Sequence, residues 1–290
     1  MSTPITKLVL DFDGTCTRVE QAADAYLDAY RAGLADHLTV TEKSWTDALD
    51  RVRSRSPKIG WMVAGTPSAP AAADPYILAY EAAHNLQRQT GAHAAIPVSV
   101  HSTAYATCPA PWREDARAVF EALIGKGIEI WFVSNSGTTY IESRLEEVFQ
   151  PGDPLRASVK VQSDAGKFKI CELPWEDDPL LDAAARDLFG RIPPAFPSAE
   201  LGRPIYLRRG SYFHALSRVF GGNFDALRAT LFCGDIWELD LAMPRALGAR
   251  VHLLDRAAPF ETCDYERRAL AAEGEWAKGG VELTSLLEWL

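Results

Sequence analysis

Four short apolar runs, each halted by polar or acidic residues, constrain the fold of this chain more than its overall composition does. Leu8-Val9-Leu10 stops at Asp11, Ile128 to Val133 at Ser134-Asn135-Ser136, Thr230 to Cys233 at Gly234-Asp235, and Arg250 to Leu254 at Asp255. Runs this short, rich in branched and aromatic residues, read as strands buried on both faces. Helical patterns lie between them: Ala116, Phe120, Leu123 and Ile124 share a face in a segment opened by Pro111, as do Ile141, Leu145 and Val148 after Thr138, and Leu241, Met243 and Leu247 after Trp237. Such alternation specifies a parallel sheet with crossover helices, which gathers ligands at the carboxyl ends of its strands.

The gap between Asp13 and Ser134 is far too long for one crossover. Val19, Ala22, Ala23, Tyr26, Leu27, Tyr30 and Leu34 form one helical stripe inside it, Trp45, Leu49 and Val52 a second, and the segment opened by Asp74-Pro75 a third. The expected organisation is a core of residues 1–16 and 105–290 with an inserted helical bundle over 17–104. Tyr26 and Tyr30 read as bundle core, and the Pro- and Ala-rich stretch from Gly65 to Ala73 as a connection between two bundle helices. Residues 151–204 are irregular and Pro-rich, with strands expected near 158–162 and 167–171, and decorate the core.

At 290 residues and 47% apolar the chain can bury a substantial core. A formal net charge of -9 excludes broad counterion-release binding to nucleic acid or an anionic membrane, while leaving room for a small anionic ligand at a local site. Five scattered cysteines without a C-x-x-C pair point to reduced thiols, not disulfides or zinc, and the six histidines show no metal-site spacing. No secretory leader or eighteen-residue apolar run is present, so a soluble, cytoplasmic protein is expected, with no nucleic-acid or membrane partner.

Asp11 and Asp13 alternate past the end of the first run, so their carboxylates converge. Two such acids raise one another's pKa unless a proton or a cation compensates, which leaves a divalent-metal site or a shared-proton acid/base pair; an all-oxygen donor set favours Mg²⁺ over zinc.

The segment Leu8 to Thr17, L-V-L-D-F-D-G-T-C-T, resembles the first motif of haloacid dehalogenase superfamily phosphatases. Val133-Ser134-Asn135-Ser136 resembles the second motif, and the G-D-x-x-x-x-D pattern from Gly234 to Asp240 resembles the fourth. The resemblance covers the core and not the insert. It implies a three-layer, Rossmann-like α/β core with an inserted helical cap that closes over a small phosphorylated metabolite, and Mg²⁺ as cofactor.

By that resemblance Asp11 is the nucleophile that forms an aspartyl-phosphate and Asp13 the general acid and base. Ser134 holds the transferring phosphoryl group, with Thr15 and Asn135 as further phosphate-binding residues. Asp11, Asp13 through its carbonyl, and Asp235 ligate the metal, and Asp240 supports them. A third motif should supply a phosphate-binding cation: Arg208 and Arg209, just ahead of a helix carrying Phe213, Leu216 and Phe220, fit its usual position, and Lys167 and Lys169 are the rivals farther upstream. Asp13 favours phosphoryl transfer over dehalogenation, because a departing halide needs no proton. A phosphomutase, a phosphonate-cleaving enzyme or a non-catalytic binding protein on the same scaffold are the alternatives, and oligomeric state stays open.

Overall fold

The computed structural model describes residues 3–91 and 95–290; His93, one of the six histidines considered above, lies outside them. In chain order the strands are β1 (Lys7–Leu10), β2 (Gly60–Val63), β3 (Thr66–Pro70), β4 (Glu129–Val133), β5 (Val159–Gln162), β6 (Ala195–Phe196), β7 (Ile205–Tyr206), β8 (Thr230–Gly234), β9 (Arg250–Leu254) and β10 (Ala277–Gly280). The helices are α1 (Val19–Leu34), α2 (Glu42–Arg53), α3 (Pro75–Thr90), α4 (Val98–Thr107), α5 (Ala116–Gly125), α6 (Thr138–Val148), α7 (Ala183–Gly190), α8 (Gly210–Phe220), α9 (Ala242–Ala246) and α10 (Asp264–Ala272).

Six strands form one parallel sheet in the order β10-β9-β8-β1-β4-β5, with β1 between β4 and β8. All four apolar runs are in it. Strand alternation divides the core into two layers. Leu8, Leu10, Ile130, Phe132 and Leu231 face α5 and α6, whereas Val9, Phe232, Val251 and Leu253 face α8 and α9. Each such Leu or Phe, wholly buried, contributes roughly 1.5–3 kcal/mol, so β1 is held by apolar contact on both sides as well as by two ladders. The result is the three-layer α/β core expected from the sequence.

Helices α1 to α4 pack around Tyr26, Tyr30, Leu34, Trp45, Leu78, Leu86 and Val100. Their starts are capped by local chemistry: Thr41 and Ser44 form a reciprocal capping box on α2, and Asp74 accepts from Ile77 N at 2.6 Å on α3. Helix α4 continues to Thr107, beyond residue 104. The segment from Gly65 to Ala73 does more than join two helices, because Thr66–Pro70 pairs antiparallel with Gly60–Val63. Ala64 and Gly65 both adopt positive φ, 47° and 82°, which is the backbone a two-residue hairpin needs. The hairpin docks on the core, Ala69 and Trp61 packing with Ile236, Leu239 and Phe168.

Two further expectations are corrected. The helix anticipated from Pro111 begins at Ala116, because the backbone of Pro111 and Trp112 is used in pairing with Thr17 and Arg18 where the chain enters and leaves the insert. Residues 158–162 include edge strand β5, but 167–171 is not a strand. Lys169 N turns back to Gly166 O, and Cys171 bridges to Arg209. Cys171 N donates to Arg208 O and Gly210 N to Cys171 O, so residues 172–208 leave and return at one point. All five cysteines are free, and no helix among the described residues is long and apolar enough to cross a membrane.

Candidate active site

The carboxyl ends of β1, β4 and β8 converge, and the acidic motif lies there. Asp11 extends β1 by one ladder bond, its N donating to Cys233 O at 2.9 Å. The chain then turns sharply. Gly14 has φ +76°, and a Cβ built on it would lie 2.5 Å from Asp235 Oδ2, so only glycine lets Asp235 approach. Thr15, fully buried, donates its hydroxyl to Asp235 Oδ1 at 3.1 Å. The Thr15 hydroxyl thus orients the Asp235 carboxylate.

After β8 the chain winds through a π-helical turn, Trp237–Leu241, before α9. That turn folds Asp240 back over Gly234, where an added Cβ would meet the Asp240 Cβ at 2.2 Å. Ile236 N fixes Asp240 Oδ2 at 3.0 Å. The spacing of G-D-x-x-x-x-D is thus a steric requirement of this turn. Asp11, Asp235 and Asp240 bring one carboxylate oxygen each to within 4.8 Å of one another.

Lys167 is the cation on this cluster. Its Nζ lies 2.7 Å from Asp11 Oδ1 and 2.9 Å from Asp240 Oδ1, and the residue is 1% exposed. Burial works against its charge, but Asp11 and Asp240 outweigh burial and raise its pKa, so the ammonium persists. Burial pushes the Asp11 carboxyl up to about 7; Lys167 pulls it down, and Asp240 and Asp13 add to the rise. Asn135 accepts Lys167 N at 2.8 Å through Oδ1 and shapes the loop that delivers the lysine.

Arg208 and Arg209 are elsewhere. Arg208 points outward to Ile192 O, Gly190 O and Glu172. Arg209 points inward and is wholly buried, but its Nη1 donates to Ser68 Oγ at 2.8 Å and Lys167 O at 2.5 Å, and its Nη2 to Ser68 O at 2.7 Å. It staples the β2–β3 hairpin to the lysine loop and meets no acid of the cluster. Burial lowers its pKa to about 10. Lys169 is exposed beside the Phe168 ring.

Asp13 has a different environment from Asp11. Its Oδ2 accepts from Tyr105 Oη at 2.6 Å and from Ser136 Oγ at 2.8 Å, while its Oδ1 is buried without a partner. Burial raises its pKa, and those two hydroxyl bonds oppose the rise. Ser134, 2% exposed at the end of β4, accepts from Ser136 N at 3.2 Å. Tyr105 comes from α4 and stands among rings: Tyr140 at 4.4 Å, Tyr76 at 5.2 Å and His101 at 5.5 Å between centroids.

The donors suit a hard divalent cation. They are carboxylate oxygens, and Asp235 Oδ2 is buried with no hydrogen-bond partner, an arrangement that costs free energy unless a cation or a proton meets it. Burial first, and then Asp240, push the Asp235 pKa well up, and Arg256 opposes the rise. Asp11 and Asp235 are the best-placed ligands. Both Asp240 oxygens are already engaged, and the Asp13 side chain is turned to Tyr105 and Ser136.

Comparison with protein-family models and with the curated proteins gives no match. Among solved structures, a predicted phosphoglycolate phosphatase from Haemophilus somnus is similar over 99% of this chain and 98% of its own, at 13% identity and a TM-score of 0.53. A Bacillus subtilis protein described as a HAD-hydrolase, YfnB, determined bound to magnesium, is similar over 99% and 98%, at 12% identity and a TM-score of 0.50. An L-2-haloacid dehalogenase, PA0810, matches over 98% of each chain at 15% identity and a TM-score of 0.45. Fold alone leaves phosphate against haloacid to the side chains. With its parallel six-stranded sheet, its long insertion after the first strand and the likeness to the first two of these structures, the chain has the fold of the haloacid dehalogenase-like hydrolases.

Proposed function

We propose that the protein is a Mg²⁺-dependent phosphatase of small phosphate monoesters, working through an aspartyl-phosphate on Asp11. The observation that carries this is the unlike treatment of two neighbouring carboxyls. Asp11 faces an ammonium, which favours the ionised form a nucleophile needs. Asp13 has neutral hydroxyls on one oxygen and nothing on the other, which suits a group that gives and takes a proton. Dehalogenation would have no use for that acid; an ester oxygen leaving phosphorus does.

In the first displacement Asp11 Oδ bonds to phosphorus, the bond from phosphorus to the alcohol oxygen breaks, and the Asp13 proton moves to that oxygen. In the second, water attacks the phosphorus, the bond to Asp11 breaks, and Asp13 takes the water's proton. Lys167 stabilises the negative charge around Asp11 through both. Mg²⁺, held by Asp11 and Asp235, would supply the remaining positive charge that carboxylates and phosphoryl oxygens require.

Phosphate release from a panel of sugar, alkyl and aryl phosphates, with Mg²⁺ present, tests the reading. The wild type should turn over at least one class; Asp11→Asn should lose about a thousandfold or more and Asp13→Asn about 10²–10⁴-fold. A wild type inert across the panel while binding Mg²⁺ normally, or one that releases halide from 2-haloacids, would sink it.

A further inference from the structure

We infer that Tyr105 is a positioning residue for Asp13: it pins one carboxyl oxygen so that the other alone faces the reaction, and thereby selects for esters whose leaving oxygen needs a proton. This deepens the phosphatase reading and rests on it.

A carboxyl group turns about its last bond with little preference between its two oxygens. Here the two are not equivalent. Tyr105 Oη and Ser136 Oγ both donate to Oδ2, and the two hydroxyls are 2.8 Å from each other. Oδ1 is left buried and unpartnered. Ser136 belongs to the loop after β4, but the Tyr105 hydroxyl is delivered from the insert, and its position is inherited from packing. The Tyr105 ring lies against Tyr140 of the core and against Tyr76 and His101 of the insert, and His101 Nδ1 is bonded to Tyr26 Oη at 2.8 Å. Helices α1, α3 and α4 therefore jointly place one oxygen atom on Asp13. The acid is aimed when the insert is seated on the core, and in the first displacement only a leaving group that depends on that acid registers the aim.

Tyr105→Phe removes that oxygen and keeps the ring. The test is kcat/KM, which reports the first displacement alone, measured for this variant on phosphates of aliphatic alcohols and on para-nitrophenyl phosphate, whose leaving group departs without help. The loss in kcat/KM should be about tenfold greater on the alkyl esters. Ser136→Ala should show the same selectivity more weakly, and serves as the test should Tyr105→Phe fail to fold. Asp13→Asn should show it most strongly. Equal loss on both ester classes, or no loss on either, overturns the inference while leaving an active phosphatase. A wild type inactive on every ester overturns both the inference and the phosphatase reading.

Discussion

The two sides of the candidate site are made of opposite materials. Its core side is charge: four carboxylates and the Lys167 ammonium, on loops that follow strands β1, β5 and β8. Its insert side is rings: Tyr26, Tyr76, His101 and Tyr105, touching the acids through a single phenol. Charge gathered in a buried place strengthens every interaction with a phosphoryl group, and does so for any ester. Rings discriminate shape and leave the charge alone. Under the proposed function, the core side would set the reaction and the insert side would select the molecule.

That division can be broken most directly at Lys167. Lys167→Met should lower kcat by about 10²–10³-fold on all esters alike, measured by phosphate release; a loss below about tenfold would mean the core side does not work by charge. Asp235→Asn should weaken Mg²⁺ binding by about a hundredfold in calorimetric titration, and unaltered affinity would remove it from the metal site. The seam between the two sides comes next. Arg209→Met strands the Ser68 and Lys167 carbonyls and should cost about 1–3 kcal/mol in urea unfolding, with a smaller effect on kcat than Lys167→Met.

The smallest effect belongs to the rings. Burial lowers the His101 pKa below the ordinary 6.5, so the folded protein keeps the ring neutral where the unfolded chain would bind a proton. Stability from this source is complete above the ordinary value and is lost as pH falls below about 6.5. Thermal melts from pH 7.5 to 5.5 should fall less steeply for His101→Asn than for the wild type. Identical slopes would show that His101 carries none of this pH dependence.

The core side was legible because it is local. An acid pair after an apolar run, and G-D-x-x-x-x-D after another, state strand ends and the glycines that let carboxylates meet. Lys167 was obscured for a topological reason. Residues 172–208 form an excursion that closes on itself at Cys171 and Gly210, so the lysine lies close to α8 in space and far from it in sequence. Arg208 and Arg209 occupied the expected spacing; one points out and the other in, as adjacent residues should, but the inward one serves the hairpin. Thr15 and Asn135 hold Asp235 and Lys167, contacts that no spacing in the sequence announces. Tyr105 carried no signal, because α4, V-S-V-H-S-T-A-Y-A-T, mixes small, polar and apolar residues without a clear stripe. Its role depends on which helices surround it.

The position of β1 has a consequence for how the molecule is made. Lys7–Leu10 is synthesised before either neighbour, yet its pairing partners are Glu129–Phe132 and Thr230–Cys233. The strand that ends at Asp11 therefore precedes both of its neighbours in synthesis and cannot be sandwiched in its sheet until both β4 and β8 have followed. Until then an apolar edge and two acids wait unpaired. The insert needs less delay, since most partners of α1 to α4 lie within the insert and Phe260 is a late addition to their cluster, and its early folding would keep the waiting strand tethered to a packed unit.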